Sequence, residues 1–117
     1  MTHFDNHLDL RGNTIFPKLS IARSFIQRSR GLLGLSSLDS QQALWIHRCN
    51  SIHTFFMRFA IDAVFVDRQL MVVRIYKNLQ PWRVTFPCLS AQSVFEMPTG
   101  SVEKHGIKKG DHLHVGP

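Results

Sequence analysis

Cysteine is scarce: the 117 residues include only Cys49 and Cys88. Two are too few for a disulfide framework, and in a reducing compartment both are expected to be free thiols. No apolar run approaches the ~20 residues that a bilayer-spanning helix needs. Met1 to Leu10 has neither a basic start nor an apolar stretch, so no secretory signal is read there and the cytoplasm is the expected location. Glycine (7) and proline (5) are few and scattered, which excludes collagen-like and linker-like chains. Acid is also scarce, with 8 Asp and Glu against 14 Lys and Arg. None lies between Leu10 and Leu38 or between Arg68 and Phe95. The familiar signatures of chemistry are missing too: no P-loop, no G-x-G-x-x-G, no G-x-S-x-G, no zinc-finger spacing. The sequence therefore names no reaction and no cofactor.

What is present fits one globular domain. Hydrophobic residues make up 44% and charged residues 19%, and ~100–150 residues is the commonest domain size. We expect a single domain over 1–117, with its core over 18–115 and a lead-in over 1–17. Gly12-Asn13 is a turn signal, so the lead-in is either a hairpin or a frayed end. Ser20 as N-cap, Ile21, Ala22, Phe25 and Ile26 at helical spacing, and Gly31 as a stop predict a helix over Ser20–Arg30. Beyond Gln42 the pattern turns strand-like. Strands are expected at Ala43–Arg48, Thr54–Phe59, Ile61–Val66, Leu70–Tyr76, Val84–Cys88, Ser93–Met97 and His112–Val115, with a hairpin at Asp67-Arg68-Gln69. The continuous apolar run Ala63–Val66 predicts a strand buried on both faces. Thr99–Gly106 reads as one or two helical turns, with Thr99 as N-cap and Gly106 as the stop. The fold class is α+β and β-dominated: a curled mixed or antiparallel sheet approaching a small barrel, with one helix in the N-terminal half and one short late helix.

Several constellations invite chemistry. Cys49 and His53 are zinc-ligand types, but on a straight strand they stand about 13 Å apart, so only a turn through Asn50-Ser51 allows a chelate. The plainer reading, a buried thiol and a hydrogen-bonded imidazole, is preferred, and no metal is expected. His112 and His114 share one strand face without an identifiable third ligand. Asp62 and Glu96 each lie in an apolar stretch, where a carboxylate needs a partner. They form either an acid–base pair in an apolar pocket or two structural groups, and the structural reading is favoured. Ser51 and Thr54 near His53 are treated as coincidence. On a Thr54–Phe59 strand, Phe55, Met57 and Phe59 would fill the core. Phe56 and Arg58 would take the other face, with Pro81-Trp82-Arg83 at the rim of a cleft.

The stretch Cys49–Asp67, with His53, Thr54 and Asp62 inside it, resembles the family called domain of unknown function 192, or uncharacterised protein family 0127. Arg28–Gly34, Pro81-Trp82-Arg83, Val94–Gly100 and Gly106–Asp111 resemble further family motifs in order, so the likeness runs from about Ser20 to Leu113. The resemblance implies a compact β-rich domain and no established activity. Its members occur with and without export signals, so it does not carry a location. Its polar marks fall on Arg30, His53, Thr54, Asp62, Glu96 and Asp111. Two departures stand out. Ala60 replaces the family's usual proline, and the Asp67–Leu70 turn lacks the glycine often found there.

Candidate ligand-binding residues are thus Arg30, His53, Thr54, Asp62, Trp82, Glu96 and Asp111. The leading expectation is a small-molecule or peptide binding module with a polar cleft near His53, Asp62 and Glu96. An acid–base hydrolase using Asp62 or Glu96 with His53 is the alternative. Nucleic-acid binding through the two acid-free basic segments is a third reading, which demands steep salt dependence.

Overall fold

The computed structural model describes residues 6–24, 32 and 35–117. The elements are β1 (Asn6–Leu10), β2 (Asn13–Ala22), β3 (Gln42–His47), β4 (Ile61–Val66), β5 (Val72–Leu79), β6 (Ser93–Pro98), α1 (Ser101–His105) and β7 (Leu113–Gly116). The strands make one sheet in the order β5-β4-β6-β3-β2-β1-β7. Only β2 and β3 run parallel; every other neighbouring pair is antiparallel.

The sheet curls until its two edges meet at one end. Met71 bridges His112, the Val72 amide donates to the Asp111 carbonyl (2.8 Å), and the Leu113 amide donates to the Leu70 carbonyl (2.9 Å). The result is a half-barrel, the curled β-rich architecture expected from the sequence.

Two apolar clusters hold it. All seven strands and α1 send side chains to the first, with Phe16, Leu19, Val64, Val66, Phe95 and Met97 at its centre. Every strand sends alternate side chains to both faces, and on the concave face of a curled sheet those of all seven strands converge. The second cluster lies on the convex face, where Leu44, Ile46, Ala63, Phe65 and Val94 are roofed by Ile52, Met57, Cys88 and Ala91. Strand β4 serves both faces, and all six of its residues are buried. Each large side chain buried this way contributes about 1.5–3 kcal/mol.

Several turns follow from local chemistry. Arg11 and Gly12 both have positive φ (52° and 79°), the two-residue turn that suits a tight hairpin. The lead-in is therefore a hairpin, its turn one residue earlier than Gly12-Asn13. Pro17 does not end β2. It lies where the β1–β2 register slips between Leu8↔Phe16 and Asn6↔Leu19, as a residue without an amide hydrogen does at a bulge. At the Asp67 turn, Oδ1 of Asp67 accepts from the amides of Gln69 and Met71, both at 2.9 Å. Leu70 takes the left-handed conformation (φ 65°) where a glycine is commoner.

Three expected elements are different. Ser20, Ile21 and Ala22 belong to β2 and pair in parallel with Leu44, Trp45 and Ile46. The remainder of the expected Ser20–Arg30 helix, from residue 25 to Arg30, lies outside the described residues. At Ser20–Ala22 a sheet partner outweighed local spacing, as tertiary pairing often does. Thr54–Phe59 is not a strand either. The Met57 amide donates to the Thr54 carbonyl (3.2 Å) and Phe56 has φ 66°, so the chain turns there. Phe55, expected in the core, is exposed in consequence. Strand geometry here is reduced to a single bridge between His53 and Val84, so the expected Val84–Cys88 strand is not formed either; Pro87, without an amide hydrogen, interrupts it.

Candidate functional site

The residues singled out from the sequence fall into separate places. Asp62 and Glu96 sit on adjacent strands but face opposite ways. Asp62 stands across from Met97 of the concave cluster, whereas Glu96 stands across from Ala63 and Leu44 of the convex cluster. They do not form a carboxylate pair. The period-2 geometry of strands imposes this, because their cross-strand register differs by one residue.

Each carboxylate has its own environment. Asp62 is saturated: Oδ1 accepts from the Asn78 amide (2.8 Å) and Oδ2 from the Val102 amide (2.9 Å). It substitutes for a local cap on α1, whose N-cap is Gly100 rather than the expected Thr99. Thr99 instead donates to Asn78 Oδ1 (3.1 Å). Glu96 is buried with no hydrogen-bond partner at Oε1. Burial pushes its carboxyl up to about 7.

Asp111 lies at the other end of β5. Its Oδ2 accepts from the Lys108 amide (2.9 Å), and Nη2 of Arg11 reaches both carboxylate oxygens (3.2 and 3.0 Å). This staples the β1–β2 hairpin tip to the Gly106–Asp111 turn. Arg30 lies outside the described residues.

His53, Thr54 and Trp82 do come together. Residues 52–54 and 83–85 form a short antiparallel ribbon over the convex face. Its bonds run from Thr54 N to Arg83 O (2.8 Å) and from Thr85 N to Ile52 O (2.9 Å). Thr54 is fully buried and fastens the ribbon with its hydroxyl. Oγ1 donates to the Gln80 carbonyl (2.7 Å) and accepts from the Arg83 amide (2.9 Å). Its carbonyl accepts from the Trp82 amide (3.0 Å). Asp62 sets the base of the same loop through Asn78, whose carbonyl accepts from the Gln80 side chain (3.4 Å).

What the ribbon displays is apolar. The His53 and Phe55 rings stack with centroids 5.0 Å apart, Phe55 lies 5.8 Å from Trp82, and Phe56 lies 4.7 Å from Trp82. Phe56 is 70% exposed and Trp82 56%. Both hold left-handed backbone, φ 66° and 65°, which costs non-glycine residues about 1–3 kcal/mol. That strain maintains rings in water rather than in a core. Val84, Phe86 (80% exposed) and Leu89 (91% exposed) extend the patch. Val84 and Phe86 stand two residues apart on an extended stretch, so they point the same way. Exposed Arg58 and Arg83 flank the rings, and Arg74 donates to the Phe86 carbonyl (3.2 Å). Val84, Phe86 and Leu89 were not singled out from the sequence. The available signal for Val84 and Phe86 was their place between Pro81 and Pro87, where a strand pairs too briefly to be covered.

The metal-ligand types are dispersed. Cys49 Sγ donates to the Ser51 carbonyl (3.1 Å), and His53 Nδ1 accepts from the Phe55 amide (3.3 Å). His114 pairs with Asp9 (3.3 Å). Among the described residues no three His, Cys, Asp or Glu side chains are placed to share a metal. No helix among them is long and apolar enough to cross a membrane.

Comparison with known proteins supports the same architecture. A UPF0127 protein of Pyrococcus horikoshii is 36% identical over 102 residues, covering 82% of this chain and 85% of that one. A protein of unknown function from Novosphingobium aromaticivorans superposes with a TM-score of 0.80 at 21% identity, over 93% of this chain and 82% of its own. A proposed transcription regulator from Sinorhizobium meliloti gives a TM-score of 0.81 at 18% identity, over 94% of this chain and 91% of its own. At these identities the two structures establish the fold alone. The family model for the uncharacterised ACR proteins, domain of unknown function 192, matches residues 7–115, and the chain belongs to that family.

Proposed function

We propose that the protein is a binding module that takes an extended apolar peptide carrying acidic residues on the aromatic ribbon. The observation that carries this reading is the row of exposed apolar side chains on two strained segments, Phe55 and Phe56 on one, and Trp82, Val84 and Phe86 on the other. Val84 and Phe86 stand two residues apart beside Trp82, the period at which an extended peptide presents its own side chains. The ribbon's bonds run through Thr54 and Thr85, which leaves the Val84 amide on its outer side, as an added strand requires. Charge favours an acidic partner. No acid lies between Asp39 and Asp62 or between Arg68 and Phe95, and Arg58 and Arg83 are exposed beside the rings. The polar cleft expected around His53, Asp62 and Glu96 reduces to His53 at the edge of this platform. Asp62 and Thr54 act as positioning residues behind it. Cys49 and Cys88, which form no disulfide, support a cytoplasmic location.

The test is a titration with an eight-residue peptide that alternates Phe or Leu with Glu, read by amide shifts and Trp emission. Localised, saturable shifts at Phe55, Phe56 and Trp82 are expected. Trp82→Ala and Phe56→Ala should each weaken binding at least about tenfold while leaving the melting temperature within a few degrees. A peptide with Lys in place of Glu should bind more weakly. Absence of saturable shifts overturns the reading. So do shifts that appear only with single-stranded oligonucleotide and collapse with salt, which would mark a nucleic-acid surface.

A further inference from the structure

A second site lies away from the aromatic ribbon, where the end of β3 meets the β4–β5 turn and the start of β6. A cavity of about 120 Å³ opens there, with Trp45 and Leu70 as apolar wall and His47, Arg48 and Arg68 as cationic or polar wall. On a share of roughly 30 Å³ per water, its volume corresponds to about four waters.

Three features distinguish it from an ordinary surface dent. First, Nε2 of His47 is buried and has no hydrogen-bond partner. A buried polar atom left unpaired costs about 1–3 kcal/mol, and on the wall of an open cavity a bound group can supply the missing partner. Second, Arg48 (φ 48°) and Leu70 (φ 65°) both hold left-handed backbone at the cavity wall. Strain of this kind concentrates where side chains must be aimed. Third, the wall has two characters. Trp45 is fixed by its Nε1 donating to Ser93 Oγ (2.8 Å) and by stacking on Phe95, 5.3 Å between centroids. Its ring lies 4.1 Å from that of His47, edge to face.

Among the described residues lining the cavity, Arg48 and Arg68 stand with one carboxylate, Asp67, whose Oδ1 is committed to the amides of Gln69 and Met71. Burial, with the charges of Arg23 and Arg48 beside it, lowers the His47 pKa, so the ring is neutral and retains one N–H to donate. An anionic oxygen answers both needs: it accepts that hydrogen and offsets the arginines.

We propose that this cavity binds a small organic anion, its phosphate or carboxylate group against Arg48, Arg68 and His47 Nε2 and a flat apolar body against Trp45 and Leu70. The site is independent of the peptide surface, since none of its residues belongs to the ribbon.

Phenyl phosphate, benzoate and inorganic phosphate serve as probes, titrated at constant ionic strength. In a Trp82→Phe background, Trp45 is the single tryptophan and its emission reports the cavity. Phenyl phosphate should quench that emission saturably and shift the His47 ring resonances. Arg68→Gln and His47→Gln should each weaken binding by about tenfold or more, the worth of one hydrogen bond to a charged group. Inorganic phosphate, which leaves the Trp45 wall bare, should bind more weakly than phenyl phosphate. No saturable response up to about 10 mM overturns the proposal, as does a response equal to that given by chloride. Binding unchanged by both substitutions overturns it as well, because the anion would then be held elsewhere.

Discussion

Asp62 and Glu96 are buried to nearly the same degree, 1% and 4% exposed, on strands that are direct neighbours. In sequence they look alike, a carboxylate between apolar residues. The structure gives them opposite conditions. Asp62 faces the concave side and meets two backbone amides, from the end of β5 and the start of α1. Glu96 faces the convex cluster, its Oε1 has no hydrogen-bond partner, and burial pushes its carboxyl up to about 7. Burial by itself thus decides little. What matters is whether donors stand opposite the charge when it is buried.

The comparison sets an order of effects. Asp62→Ala would leave two amides unpaired in the interior and release α1 from the sheet. It should cost about 4 kcal/mol in urea unfolding, and a loss below about 1 kcal/mol would show that Asp62 is not the pin described. Glu96 acts through pH. Its folded pKa of about 7 lies above the ordinary 4.5, so its contribution is complete below about 4.5 and is lost as pH rises through 7. The difference corresponds to about 3 kcal/mol. Glu96→Gln should therefore remove most of the stability decline of the wild type between about pH 5 and 8.5, and should be the more stable protein at the upper end. Identical pH profiles for the two would mean that the Glu96 carboxyl is solvated or paired. The smallest effect belongs to an exposed carboxylate contact. Arg11→Gln breaks the pair with Asp111 at half-exposed Arg11, and the change should stay within about 1 kcal/mol and shrink further in salt.

Much of the β framework was legible because its signal is local. Strand β4 coincides with the expected Ile61–Val66, and β3, β5, β6 and β7 shift by only one to three residues at their ends. The Asp67 hairpin and the Gly106 stop were legible for the same reason. They rest on turn chemistry that needs no distant partner. Ser20–Ala22 was misread because its apolar residues satisfy helical spacing, while the β3 strand that claims them begins about twenty residues later. Thr54–Phe59 was misread because the groups that turn it, the Gln80 and Arg83 backbone, lie more than 20 residues away.

The candidate site shows the same division. His53, Thr54 and Trp82 were found in the sequence, and they do meet. That Asp62 and Glu96 do not join them in one polar cleft was not legible, since it depends on which face of the sheet each carboxylate occupies. Phe55 passed for a core residue, and Val84, Phe86 and Leu89 passed unnoticed. Whether an apolar residue is covered depends on the chain that passes over it.

The sequence by itself determined the rough place of most strands, the positive net charge and several turns, because period-2 patterning, charge and turn residues act over a few positions. Only the tertiary structure decided the parallel β2–β3 pairing, the curl that joins β5 to β7, the opposite fates of Asp62 and Glu96, and the exposure of Phe56 and Trp82. Each of these is a relation between distant segments, fixed by register and by which donors stand opposite, and neither quantity is written in any single stretch of the chain.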